Sequence, residues 1–233
     1  MTIHGLQKLT LLDFPGKTAC TVFTGGCNLR CPFCHNGDLV LHPTQFPVVP
    51  EEEIFALLEK RKHTLEGVCI TGGEPMLQKD LPFFCEKIKN MGFSVKIDTN
   101  GFFPLQLKYI VNNGLADYVA MDIKNTWEKY AETVGIPAIS TKNAQESVTF
   151  LMNCGIPHEF RTTVCRPFHE TKDLIAIATM LGPDQPYFLQ GFKASEALLG
   201  GTLCQGYTPS EMKNILEAVR TVHPQVSLRG VDL

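Results

Sequence analysis

No apolar run in the sequence approaches the ~18 residues that a membrane-crossing helix needs. The opening MTIHGLQKLTLLDFPGK has no apolar stretch behind a basic start, so a cytoplasmic protein with no membrane role is expected. Charge of one sign is also missing. With 21 Lys and Arg against 24 Asp and Glu, the formal net charge of -3 gives no global attraction to nucleic acid or to an anionic lipid surface. There is no internal repeat, low-complexity tract or linker, and the 15 Pro and 19 Gly are scattered, which argues against disorder. A hydrolytic triad is missing as well: His4, His42, His63, His158, His169 and His223 are dispersed and read as surface or core residues.

What remains is a globular composition, 44% hydrophobic and 19% charged, in 233 residues. That length suits one domain with a sizeable core, here 1-233, in which an N-terminal arm (1-17) precedes a barrel (18-233). Nine cysteines, an odd number without an export signal, disfavour a disulfide framework and turn attention to metal binding. Cys20, Cys69, Cys85, Cys154, Cys165 and Cys204 stand alone, mostly in apolar runs, and read as packing.

Short β-branched runs alternate with amphipathic stretches: TACTVF, EEEIFALLEKRKH, GVCIT, LPFFCEKIKNM, SVKID, PLQLKYIVNN, ADYVAMDI, a helical region over 126-154, HEFRTTVC, KDLIAIATML, YFLQGF, SEMKNILEAVRTV and VSLRG. About six βα units imply parallel pairing and an α/β fold, a complete or partial (β/α) barrel. Pro50 before Glu51-Glu52-Glu53, and Thr208-Pro209-Ser210-Glu211, punctuate helix starts. The arm is expected to act as a flap or an edge strand. In such barrels chemistry sits at the carboxyl ends of strands, where TGGCNLRCPFCHN, TGGEP, DTNG and MDIKN fall in turn.

Cys27, Cys31 and Cys34 place three thiols within eight residues, close enough for one loop to wrap a single metal centre. Structural zinc stays open at this point. Cys27, Cys31, Cys34 and His35 form a possible Cys3His set, although adjacent ligands at 34 and 35 are awkward and zinc sites usually use two separated ligand pairs. A four-iron cubane held by three cysteines would leave one iron open for the amino and carboxylate groups of a methionine-like ligand.

Cys-x3-Cys-x2-Cys with an aromatic residue before the last cysteine resembles the signature of the radical S-adenosylmethionine enzymes. The resemblance implies a partial (β/α)6-type TIM barrel, one 4Fe-4S cluster on Cys27, Cys31 and Cys34, and S-adenosylmethionine as cofactor. It further implies that Gly72, Gly73 and Glu74 receive the methionyl ammonium, with Phe33 near the adenine and contacts from around His35. Ile97-Asp98-Thr99-Asn100-Gly101-Phe102 and Met121-Asp122-Ile123-Lys124 resemble the DTNGF and DLK segments of glycyl-radical-enzyme activases. Asp98 and Asn100 are then candidates for the ribose or the methionyl group, and Lys124 for the methionyl carboxylate. The alternative is that Asp98 to Gly101 only shapes a turn and Asp122 with Lys124 is a solvated pair. Arg161, a basic residue in the strand HEFRTTV, asks for a ligand or a carboxylate partner; Gln190 in FLQGF is a similar candidate.

The whole chain, from GLQKLTLLDFPGKTACTVFTGGCNLRCPFCHN onward, is most similar to the longer branch of activating proteins for anaerobic ribonucleoside-triphosphate reductase, and is close to pyruvate formate-lyase activase. This implies a glycyl radical enzyme as partner and a flavodoxin or ferredoxin as electron donor. A radical enzyme acting on a small molecule, such as 7-carboxy-7-deazaguanine synthase, is the alternative. Between the triad and GGE only Cys69 occurs, so no ferredoxin-like insert with further cysteine quartets is present and a single cluster is expected.

Overall fold

The computed structural model describes residues 1-195 and 198-231. Chain order is β1 (Ile3–Thr10), β2 (Ala19–Thr24), α1 (Gly37–Leu41), α2 (Glu51–Lys60), β3 (Gly67–Gly72), α3 (Leu81–Asn90), β4 (Ser94–Thr99) and α4 (Pro104–Asn112). There follow β5 (Tyr118–Asp122), α5 (Tyr130–Thr133), α6 (Lys142–Asn153), β6 (His158–Val164), α7 (Thr171–Leu181), β7 (Tyr187–Gly191), α8 (Pro209–Arg220) and β8 (Ser227–Arg229). Among the described residues no helix is long and apolar enough to cross a membrane.

Contacts divide the chain into two compact units. The first comprises Met1–Asn28, Asp38–Ala120 and Asn143–Pro157. In it the N-terminal arm forms β1, which pairs antiparallel with β2 from Ile3 opposite Thr24 to Thr10 opposite Ala19. The edge-strand expectation is met. β2 with β3 and β3 with β4 are parallel, Cys20 lying opposite Val68 and Val68 opposite Val95. Val68, Ile70, Val95 and Ile97 are fully buried, as are Ile54 and Leu58 of α2 and Leu81 and Ile88 of α3. Each helix therefore buries an apolar stripe, the source of most helical stability in a short helix. α2 starts after Pro50 with three glutamates in its first turn and ends on Lys60, charges that suit its dipole.

The second unit comprises Leu29–Gly37, Met121–Lys142 and His158–Leu233, so β5 divides after Ala120. Strands β6, β7 and β8 are parallel, with Arg161 opposite Phe188 and Gln190 opposite Arg229. α8 begins with a complete capping box: Thr208 Oγ1 accepts from Glu211 N at 3.3 Å, and Glu211 Oε2 accepts from Thr208 N at 2.8 Å.

The region 126-154 is not one helix. It breaks between α5 and α6 because Gly135 adopts φ +68° and Pro137 follows two residues later.

Candidate active site

In the first unit, the end of β3 is pressed onto the backbone leading into Cys27. A Cβ on Gly73 would lie 1.8 Å from Gly26 O, and one on Gly72, at φ +113°, 2.3 Å from Thr24 N. Only glycine fits at either position. Gly73 N donates to Thr24 O at 2.9 Å and Glu74 N to Gly26 O at 2.8 Å, so the glycine pair anchors the start of the cysteine loop.

Glu74 is 1% exposed. Its Oε1 accepts from Thr99 Oγ1 at 2.7 Å and Met76 N at 3.1 Å, and its Oε2 accepts from Asn100 N at 2.7 Å. Donors of this kind offset the cost of taking a carboxylate out of water. Glu74 thus ties the end of β3 to the end of β4.

Asn100 carries the link onward. Its Nδ2 donates to Asn28 Oδ1 at 2.8 Å and lies 3.7 Å from Cys27 Sγ, while its Oδ1 accepts from Phe102 N at 3.1 Å. DTNG therefore does shape a turn, and the same residue reaches the first cysteine. Asn28 was not singled out from sequence; its only signal was a short polar side chain beside Cys27. Asp98 is ion-paired with Lys96, which is itself 1% exposed.

In the second unit, the cysteine loop from Arg30 to Cys34 is clipped by two other loops. Arg30 N donates to Val134 O at 2.8 Å, Gly200 N to Pro32 O at 2.8 Å and Leu199 N to Cys34 O at 3.4 Å. Gly135 closes this clip, since a Cβ there would lie 2.5 Å from Arg30 O. Cys31 is buried and Cys34 half-buried, and burial pushes the Cys34 thiol up from its ordinary value. Phe33 is buried, with ring centroids 6.0 Å from both Phe168 and His169. His35 is exposed; its Nε2 donates to Lys193 O at 2.6 Å and its ring lies 5.6 Å from Phe192.

Asp122, Lys124 and Arg161 form a charge cluster. Lys124 Nζ donates to Asp122 Oδ2 at 2.9 Å, and Arg161 Nε to Asp122 Oδ1 at 2.9 Å. Burial works against the charge on Asp122, but Arg161 and Lys124 outweigh it and hold the carboxyl well below the usual carboxylate range. Burial likewise opposes the charge on Lys124, and Asp122 overcomes it, raising the ammonium above its ordinary value. Lys124 and Asp122 are thus a half-buried pair, not a solvated one, and Arg161 has found the carboxylate it asked for. Behind them Glu159, fully buried, accepts two bonds from Arg229 at 2.6 and 3.0 Å. Gln190 Oε1 is buried with no hydrogen-bond partner among the described residues.

The donor set suits an iron-sulfur cluster. Cys27, Cys31 and Cys34 lie within eight residues of sequence and none is in a disulfide, and soft thiolates are the ligands such clusters take. The Cys3His zinc alternative would have to use a histidine already hydrogen-bonded to Lys193 and set against Phe192.

Residues 21–181 match the family model of the Radical SAM superfamily. This chain belongs to that superfamily. MJ1227 of Methanocaldococcus jannaschii, assigned as a glycyl-radical enzyme activating enzyme, is 32% identical over 199 residues, 84% of this chain and 81% of its own. The pyruvate formate-lyase-activating enzyme of Clostridium pasteurianum is 32% identical over 127 residues, 53% of this chain and 52% of its own. Among solved structures, a radical SAM methyltransferase from Sphaerobacter thermophilus superposes with a TM-score of 0.72 at 13% identity, covering 95% of this chain and 68% of the other. The α/β fold is therefore that of the superfamily, as expected. The protein is a radical SAM enzyme, and membership implies a 4Fe-4S cluster and S-adenosylmethionine.

Proposed function

We propose that this radical SAM enzyme is a glycyl-radical-enzyme activase whose partner is anaerobic ribonucleoside-triphosphate reductase. The observation that supports the activase reading is the likeness to MJ1227 along 84% of the chain, joined to the three closely spaced cysteines Cys27, Cys31 and Cys34. A cluster held there would supply one-electron reductive cleavage of S-adenosylmethionine, with a flavodoxin or ferredoxin as donor, and so the hydrogen abstraction that an activase performs on one partner glycine.

The chain's own residues hold, orient and exclude water. Cys27, Cys31 and Cys34 would hold the cluster, and a three-cysteine set would leave one iron open to the methionyl amino and carboxylate groups. Gly72, Gly73 and Glu74 receive the methionyl ammonium, and Lys124, kept cationic by Asp122, faces the methionyl carboxylate. Asp98 and Asn100 accept from the ribose or the methionyl group, and Phe33 lies beside the adenine. His35, Arg161 and Gln190 complete the contacts. The buried, undonated Oε1 of Gln190 suits a ligand hydroxyl or N–H.

The test is to reconstitute the protein anaerobically, reduce it, and mix it with S-adenosylmethionine and anaerobic ribonucleoside-triphosphate reductase. A glycyl doublet by electron paramagnetic resonance is expected, with 5′-deoxyadenosine formed alongside. Cofactor cleavage with no doublet on any glycyl radical enzyme would favour a small-molecule substrate, as in 7-carboxy-7-deazaguanine synthase. A colourless preparation holding stoichiometric zinc would overturn both readings.

A further inference from the structure

Lys96 sits in the middle of β4, between Val95 and Ile97, and is 1% exposed. Strand alternation puts Val95 and Ile97 on one face and Lys96 and Asp98 on the other. Register adds a third member: Cys69 of β3 lies opposite Lys96. Lys96 Nζ pairs with Asp98 Oδ1 and lies 3.7 Å from Cys69 Sγ, and Cys69 Sγ is 3.8 Å from Asp98 Oδ1.

A buried ammonium carries three N–H donors and is costly to take out of water. Among the described residues Lys96 has one carboxylate and one thiol to receive them. Stability alone does not explain such a residue, because an apolar side chain of similar volume commonly serves as well. The fold keeps the charge where it does one thing, which is to fix Asp98. Asp98 is also the most open member of the cluster, its side chain 15% exposed against 1% for Lys96 and none for Cys69. It stands at the carboxyl end of β4, two residues before the Asn100 that reaches Cys27.

We infer that Lys96 is a positioning residue, whose buried ammonium holds the Asp98 carboxylate oriented to accept a donor group of S-adenosylmethionine. This rests on the reading of Asp98 as a cofactor contact. Lys96 does not touch the cofactor; it acts through Asp98 by removing the carboxylate's freedom to rotate.

The test is equilibrium dialysis of S-adenosylmethionine against the full-length, anaerobically reconstituted protein, unreduced so that nothing is cleaved. Lys96→Met and Asp98→Asn are each expected to weaken binding about 10- to 100-fold, the range for losing a charged hydrogen bond. The double variant should bind no more weakly than Asp98→Asn alone, because the lysine has nothing left to position. Lys96→Arg should recover part of the loss, a rescue that a merely space-filling lysine would not show. Binding by Lys96→Met equal to the unsubstituted protein would overturn the inference. So would losses that multiply in the double variant. If Lys96→Met does not fold, Lys96→Gln takes its place in the same cycle. The outcome is independent of any partner: a failed glycyl-radical assay leaves the binding cycle standing, and a failed cycle leaves radical formation untouched.

Discussion

Glu74→Gln replaces one carboxylate oxygen of a buried, triply donated group with an NH2. The amide can keep Oε1 for Thr99 and Met76, but its NH2 then meets Asn100 N–H, donor against donor. The opposite orientation strands two donors instead of one, so the first is preferred. Losing one charged hydrogen bond and leaving a buried backbone N–H unmatched costs about 2–3 kcal/mol. For a chain of 233 residues each kcal/mol moves the thermal midpoint by roughly 2–4 °C, so a fall of about 4–12 °C is expected. Glu74→Ala removes the acceptor for all three donors and should cost about 4–6 kcal/mol, a large part of the stability of an ordinary protein. Circular dichroism melts of the cluster-free protein measure both. A midpoint for Glu74→Gln within ~1 °C of the unsubstituted protein would refute the reasoning, because no carboxylate with three buried donors can lose one so cheaply. Equal melts for the Gln and Ala variants would refute it too.

Two further expectations follow from charge and burial. Asp122→Asn leaves Lys124 and Arg161 facing a neutral group and should destabilise by roughly 2–4 kcal/mol in urea at neutral pH, somewhat below the loss for a fully buried pair. Because the folded Asp122 titrates below the unfolded value of about 3.9, its contribution is complete above that pH and fades as acid protonates the folded carboxyl. The gap between the two proteins should therefore close only below about pH 4. His223 is fully buried against Tyr187, and neither of its ring nitrogens has a partner among the described residues. His223→Leu should raise stability by about 1–2 kcal/mol, read as a higher urea midpoint, because an unmet polar group is exchanged for an apolar one.

The strands were legible because their residues declare themselves. GVCIT and HEFRTTV are β-branched, short and bounded, and both became parallel strands at those positions. The cysteine triad was legible for the same reason, since a loop that must wrap one centre keeps its ligands close in sequence. Partners distant in sequence were not. Glu74 is answered by Thr99 and Asn100, and Lys96 by Cys69, each pair more than twenty residues apart. A period count over SVKID registers the lysine only as an interruption. The break inside 126-154 was missed because Gly135 and Pro137 sit between two stretches of helical periodicity, and what requires the glycine is a carbonyl on the cysteine loop.

The clip on that loop bears on how the enzyme survives its own chemistry. In small metal-folded domains the metal organises the ligands, and removing it unfolds the chain. Here Arg30, Pro32 and Cys34 are held by amides and carbonyls of Val134, Gly200 and Leu199. A loop held in this way is expected to keep its shape when a cluster is lost, so refilling with iron and sulfide, not refolding, is the expected route back to a loaded enzyme.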